Sequence, residues 1–249
     1  MAPSLGALED TPENIWGTKP YNPETDLDKP CVFFGLYGLP DFYALWRHRG
    51  KKWILWAGSD ITHFNSGYWL DDVGIIRLER WGMGEWINNN CESWVENEIE
   101  KTALWSAGIW SYVCPSFLGD VKNYPLQKIA PQTRYYTSVS GDNFRLYGWE
   151  EIESLAVKNP DSEYHLYGAE WFTNTPNIIV HGKVTREEMN EQTRTMTGAL
   201  RLTKFDGFSE ILAKSYLWGQ KPISPYIPYP YKNREDLLDI LNKFPWNQK

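Results

Sequence analysis

Short apolar runs that end on glycine alternate with helical punctuation along this sequence, and that alternation admits few folds. An uninterrupted apolar run suits a strand buried on both faces, which requires helices packed on a parallel sheet. Val32 to Leu36 is the first such run. Gly35 and Gly38 bracket the turn after it, Pro40-Asp41 opens a helix reaching His48, and Gly50 stops that helix. Trp53 to Ala57 is the second run and leads into Gly58-Ser59-Asp60. Val73 to Leu78 reads as a strand and Trp81 to Asn90 as a loop. Ser93-x-x-Glu96 has the spacing of a capping box and predicts a helix with Trp94, Val95, Ile99, Ala103 and Leu104 on its apolar stripe. Trp110 to Cys114 is the next strand.

The second half repeats the pattern. Strands are expected at Tyr135–Val139, Tyr164–Tyr167, Ile178–His181, Ala199–Leu202 and Pro222–Ser224. Helices are expected at Trp149–Lys158, from the capping box Thr185-x-x-Glu188 to Met196, at Phe208–Trp218 before Gly219, and from Asn233 onward. The reading is α/β, with two Rossmann-like domains and a cleft between them. Residues 1–30 form an extended arm anchored by Trp16 and Tyr21, 31–120 the first domain and 121–249 the second, with a Pro- and Gly-marked linker over 118–132.

Charge and composition remove several function classes. The chain has 249 residues, 25 Lys+Arg against 32 Asp+Glu and a net charge of −7, which argues against non-specific nucleic-acid binding and against a polybasic membrane patch. No apolar run approaches the ~18 residues of a membrane helix, and Met1 to Asp10 has no apolar core of a secretory signal. Cys31, Cys91 and Cys114 are odd in number and far apart, so buried thiols in a reducing, cytoplasmic compartment are expected rather than disulfides or zinc. The 14 Trp, with Trp69, Trp81, Trp86, Trp149 and Trp171 read in loops, suit stacking on sugars and equally a core or an oligomer contact.

The segment Gly198 to Gly219 runs strand, short loop, helix. Loops at the carboxyl ends of parallel strands face the ligand crevice. The amides of Phe208, Ser209, Glu210 and Ile211 open the next helix, and a helix start favours an anion such as a diphosphate. Gly207 allows close backbone approach. Arg201 and Lys204 add positive charge, and Asp206 can accept from hydroxyls. Equally, Ser209 can simply cap the helix and Asp206 sit in an Asx-turn.

From Asp206-Gly-Phe-Ser-Glu-Ile-Leu-Ala-Lys-Ser-Tyr-Leu-Trp-Gly219 to Pro222-Ile223, the sequence resembles the nucleotide-sugar segment of retaining, family-4-like GT-B glycosyltransferases. Pro176 to Met189 is similar to the strand, glycine and helix that precede the donor site in that family, and Tyr164-His-Leu-Tyr-Gly168 to the strand that turns towards the donor base. The resemblance covers about 135–225 and implies a GT-B fold with a trimmed N-terminal half. It also implies transfer of a hexosyl group from a nucleotide sugar to an acceptor hydroxyl of a carbohydrate or glycoconjugate, with retention and without metal or other cofactor. By it, Asp206 holds sugar hydroxyls, the backbone at Gly207, Phe208 and Ser209 cradles the diphosphate, and Arg201 contacts phosphate. The family's second acid, a ribose ligand, is Lys214 here, with Glu210 one turn earlier as its stand-in. Arg145 and Arg134 are the basic residues nearest the family's Arg-then-Lys pair.

Two more groups follow from position. His181, at a strand's carboxyl end beside Gly182, is a donor-side candidate, whereas His165 reads as a core residue and His48 as solvated surface. On the acceptor side stand Gly35, Tyr37 and Gly38 after the first strand and Ser59, Asp60 and His63 after the second, with Asp60 as a base or a cap. Asp71-Asp72 reads as turn surface, not a metal site. The rival readings are a nucleotide-sugar-binding pseudo-enzyme, suggested by Lys214, a carbohydrate-binding module, suggested by the Trp content, and a phosphorylase-like or epimerase-like enzyme.

Overall fold

The computed structural model describes residues 20–66, 78–113, 121–204, 206, 209–226 and 229–243. They fall into two units, Met1–Gly119 with Ile240–Lys249, and Asp120–Asp239. Each is an α/β unit on a parallel four-stranded sheet.

In the first unit the strands are β1 (Cys31–Phe34), β2 (Lys52–Leu55), β3 (Glu92–Val95) and β4 (Tyr112–Val113), in the order β1-β2-β3-β4. All neighbours are parallel. Each crossover therefore steps the same way, and right-handed crossovers that step one way put their helices on one face. The core shows this. Leu39, Phe42 and Leu45 of α1 (Leu39–Arg47), Ile61 and Phe64 of α2 (Ser59–Ser66), Ile87 of α3 (Leu78–Asn90) and Leu104 of α4 (Glu98–Ser106) form one buried cluster with Phe33, Ile54 and Val95.

Three expectations are corrected here. Trp81–Asn90 is helix, not loop: two glycines and three asparagines are poor helix formers, but Met83, Trp86 and Ile87 pack on the core and override propensity. Asn88 then ties the next turn, donating to Gly108 O at 2.6 Å and accepting from Trp110 N at 2.9 Å. Ser93-x-x-Glu96 is no capping box. Ser93 and Val95 are buried while Glu92 and Trp94 are half-buried, a strand period, and the helix starts later, with Asn97 accepting from the amides of Ile99 and Glu100. His48 is buried, not solvated, edge-on to Phe33 and Tyr21 at 5.6 Å. Of the expected strand Val73–Leu78, residues 73–77 lie outside the described residues, as do Trp69 and Cys114, and Leu78 opens α3.

The second unit has β5 (Arg134–Ser138), β6 (Glu163–Tyr167), β7 (Ile178–Gly182) and β8 (Gly198–Ala199), in the order β7-β6-β5-β8. The chain steps outward from β5 to β7, then returns past β5 to place β8 on its other side. Strand order therefore reverses between β5 and β8, the position at which parallel sheets open a ligand crevice. One face carries α5 (Trp149–Lys158), whose Trp149, Ile152 and Ala156 join Tyr164, Leu166, Ile178 and Leu200 in a core. Trp149 is thus a fully buried core residue rather than a loop residue. The other face carries α6 (Arg186–Thr193) and α7 (Glu210–Trp218). Tyr136 on β5 reaches α7 by donating to Ile211 O at 3.4 Å, and Tyr167 on β6 reaches α6 by donating to Gln192 Oε1 at 3.0 Å. The capping box at Thr185 and Glu188 forms as expected, and Gly219 closes α7 in the left-handed region. The expected strand Pro222–Ser224 is a single parallel bridge, Leu200 to Ile223. The last helix, α8 (Arg234–Lys243), begins in this unit, with Asn233 accepting from Asp236 N at 2.8 Å.

Candidate functional site

The reversal between β5 and β8 is spanned by one side chain. Arg201, just beyond β8, donates through Nη1 to Ser138 O at the end of β5 (3.2 Å) and through Nε to Asp206 Oδ2 (2.6 Å). Its guanidinium lies over the Tyr147 ring, 4.2 Å from the centroid. Tyr229 donates to the same Asp206 oxygen at 3.1 Å. Arg201 is only 8% exposed. The Asp206 pairing holds its pKa above the ordinary arginine value despite burial. Burial and the Asp206 charge push the Tyr229 phenol up strongly. Tyr147 comes close because Gly148, with φ +71°, lets the turn before α5 press on the Leu202 backbone where a Cβ would collide.

α7 starts beside this cluster, with Ser209 at its N-cap. The sequence places the pair Arg201 and Asp206 together, and the structure does bring them together, onto each other. Gly207 and Phe208 lie outside the described residues. Lys204 is exposed, 5.8 Å from the Tyr226 ring. Arg145 is exposed on the turn, and it is Tyr147 that meets Arg201. Neither Tyr147 nor Ser138 is marked by any motif.

Glu210 and Lys214 turn to α6 instead. Glu210 Oε1 pairs with Lys214 Nζ at 2.6 Å and Arg186 Nη2 at 3.5 Å, and Lys214 Nζ donates to Asn190 Oδ1 at 3.0 Å. Residues 186 and 190 on α6 thus meet 210 and 214 on α7, each one turn apart, as a ladder between two helices. Lys214 is buried, which pulls its pKa down against the Glu210 charge. A pocket of about 280 Å³ opens at the far end of α7, beside Trp218, Asn190 and Arg194, and takes none of the predicted site residues.

His181 joins a relay rather than standing alone. His165 Nδ1 and His181 Nε2 are 2.9 Å apart, His165 Nε2 is 3.3 Å from Glu163 Oε2, and His181 stacks on Tyr167 at 4.3 Å. A glutamate that accepts from His165 Nε2–H leaves Nδ1 to accept from His181 Nε2–H, which fixes both tautomers. Burial lowers both pKa values below the ordinary 6.5, and at His165 the Glu163 bond opposes this while His181 and Arg134 add to it. Imidazoles lowered in the folded state contribute stability above pH 6.5, and that contribution is lost as pH falls below 6.5 towards the folded values. Urea midpoints measured from pH 7.5 to 5.5 should therefore fall more steeply in the wild type than in His181→Asn. Equal slopes would show that the pair carries no such linkage.

In the first unit, the loops after β1 and β2 bring Tyr37, Ser59 and His63 together. Ser59 Oγ donates to Tyr37 Oη at 3.3 Å, and His63 lies edge-on to Tyr37 at 6.1 Å. Burial pushes the Tyr37 phenol up to about 12. Gly35, with φ +76°, turns the chain out of β1, and Gly38 is the N-cap of α1. Carboxylates from the helices that follow tie these loops. Asp41 accepts from Tyr37 N at 2.8 Å, and Glu100 from Glu96 N at 2.8 Å. Asp60 accepts from Leu36 N (3.0 Å), Ala57 N (2.9 Å) and Ile61 N (2.9 Å). It is fully buried, and desolvation raises its carboxyl to about 7 against the lowering effect of those amides. Both its oxygens are taken by backbone amides, the geometry of a clamp.

No protein-family model matches the sequence, and no curated protein matches it. Solved structures do. TarM of S. aureus aligns with a TM-score of 0.53 at 12% identity over 84% of this chain and 46% of its own. HepE of Anabaena gives 0.52 at 12% over 81% and 63%, and sucrose-phosphate synthase of Thermosynechococcus elongatus 0.56 at 11% over 90% and 62%. The chain spans less than two thirds of the length of each. These are GT-B glycosyltransferases, and at such identity the likeness is one of fold: Rossmann-like α/β units of the GT-B kind. No helix among the described residues is long and apolar enough to cross a membrane.

Proposed function

We propose that this chain is a hexosyltransferase that moves a sugar from a nucleotide-sugar donor to an acceptor hydroxyl of a carbohydrate or glycoconjugate, with retention and without a metal. The observation that carries the reading is the buried Arg201–Asp206 pair at the reversal of strand order, beside the start of α7. Negative charge builds on the diphosphate as the glycosidic bond breaks. Arg201, Lys204 and the first amides of α7 are fixed donors for that charge, and fixed donors cost no reorganisation as the reaction proceeds. Asp206, already oriented by Arg201 and Tyr229, has a carboxylate suited to sugar hydroxyls. In this reading Gly207, Phe208 and Ser209 cradle the diphosphate, and Tyr37, Ser59 and His63 face the acceptor. Asp60 holds their loops and is not the base. Lys214 and Glu210 brace α7 against α6 rather than bind ribose.

Several solved neighbours are named as complexes with UDP: HepE with UDP and glucose, and TarM with UDP and alpha-GlcNAc-glycerol. A UDP-sugar is accordingly the first donor to try. A reducing, cytoplasmic setting fits the half-buried free thiols of Cys31 and Cys91, which burial holds protonated up to about 11 and 12.

The test is a panel of nucleotide sugars against the full chain, read by melting temperature and by released nucleotide. A true donor at 100 times its Kd should stabilise the chain by about 2.7 kcal/mol. It should also release nucleotide when an acceptor sugar is present. Stabilisation with no release would favour a binding protein without turnover, and no stabilisation by any member would overturn the reading.

A further inference from the structure

The segment Pro225-Tyr-Ile-Pro-Tyr-Pro-Tyr231 carries three tyrosines, and each is anchored differently. Tyr226 donates to both Glu151 oxygens at 3.0 Å and lies 5.8 Å from Lys204. Tyr231 is buried, edge-on to Tyr216 of α7 at 5.6 Å. Tyr229 stacks on Tyr231 at 5.6 Å and sends its hydroxyl to Asp206. The two outer tyrosines thus hold the segment to α5 and α7, and the middle one reaches Asp206.

We propose that Tyr229 is a positioning residue, which keeps the Asp206 carboxylate on Arg201 and so fixes the donor-binding pair in one geometry. The geometry favours this role over packing alone. Arg201 Nε and Tyr229 Oη converge on one oxygen, Asp206 Oδ2, at 2.6 and 3.1 Å. An oxygen bound by two donors from different segments cannot rotate without breaking both bonds. Tyr147 closes the opposite side by covering the guanidinium plane. Four segments, ending at Ser138, Tyr147, Asp206 and Tyr229, therefore fix one arginine. Proline on either side of Tyr229 stiffens the approach of its ring, since proline fixes φ near −65°.

That the pair serves a donor rests on the transfer reading; that Tyr229 holds it does not. The experiment separates the two. In the full chain with labelled arginine, the Arg201 Nε–H resonance is identified by its loss in Arg201→Lys, and its exchange with water is measured. Tyr229→Phe, which keeps the ring, should speed that exchange at least ten-fold, whereas Tyr226→Phe should leave it within two-fold. Exchange in Tyr229→Phe within two-fold of wild type, or equal acceleration in Tyr226→Phe, overturns the proposal. With UDP-glucose as donor, Tyr229→Phe should lower kcat for UDP release about ten-fold with KM within two-fold, and an unchanged kcat in an active enzyme overturns it equally. A wild type that releases no nucleotide from any sugar of the panel overturns the transfer reading alone, and the exchange rates still decide Tyr229.

Discussion

Replacing Asp206 with alanine should destabilise the second unit by about 3–5 kcal/mol, the cost of leaving one member of a buried ion pair uncompensated. The side chains of Arg201 and Asp206 are only 9% and 13% exposed, so water cannot replace the lost partner. Tyr229 loses its acceptor in the same step. Arg201→Ala should cost as much, because it strands the carboxylate instead. The double variant Arg201→Met with Asp206→Leu should recover most of the loss, since an apolar pair of similar volume avoids the desolvation that the ions pay. Urea unfolding followed by circular dichroism measures all four proteins. The double variant is then the informative one for function: it folds, yet it lacks both the phosphate contact and the sugar contact. Nucleotide-sugar binding that survives in it would sink the donor site. Single variants as stable as the wild type would sink the buried pair.

What the sequence reveals of this site follows the reach of local patterns. Arg201, Asp206 and the start of α7 lie within ten residues, and a strand, a loop with glycine and a helix are readable over that span. Ser138, Tyr147 and Tyr229 reach Arg201 and Asp206 only through the winding of β5 against β8, and no spacing rule connects them. The two Ser/Thr-x-x-Glu patterns make the same point from the other side. At Thr185 the box forms, with Glu188 bonded back to the Thr185 amide at 2.9 Å. At Ser93 the same letters are strand, because Ser93 and Val95 alternate inward between two parallel neighbours. Local propensity is a weak prior that burial overrides, and α3, with its glycines and asparagines, shows that override most plainly. Lys214 shows a further limit. Its departure from the family pattern is visible in the sequence, but its partners Glu210 and Asn190 are not, and they turn it into a brace.

Asp60→Ala should cost the first unit about 3–5 kcal/mol, since three backbone amides lose an acceptor and each buried donor left unpaired costs about 1–3 kcal/mol. Leu36 and Ile61 are 0% and 2% exposed, so solvent offers two of those amides no replacement. Asp60→Asn should fall in between. Its carbonyl oxygen can keep the bonds to Ala57 and Ile61, while its NH2 group meets the Leu36 N–H donor to donor. The pH dependence has a definite sign. The folded carboxyl titrates at about 7, above its ordinary 3.8, so the folded chain holds a proton that the unfolded chain has released. The stability due to that proton is complete below 3.8 and is lost as pH rises through 7. The gap between wild type and Asp60→Ala should therefore narrow from pH 5 to pH 8, and the gap between Asp60→Asn and Asp60→Ala should stay constant. A catalytic base would behave otherwise: Asp60→Asn would abolish turnover at any pH while leaving the urea midpoint close to wild type. Midpoint and turnover measured on the same three proteins distinguish the clamp from the base, and a constant wild-type gap across that range would rule out the raised titration.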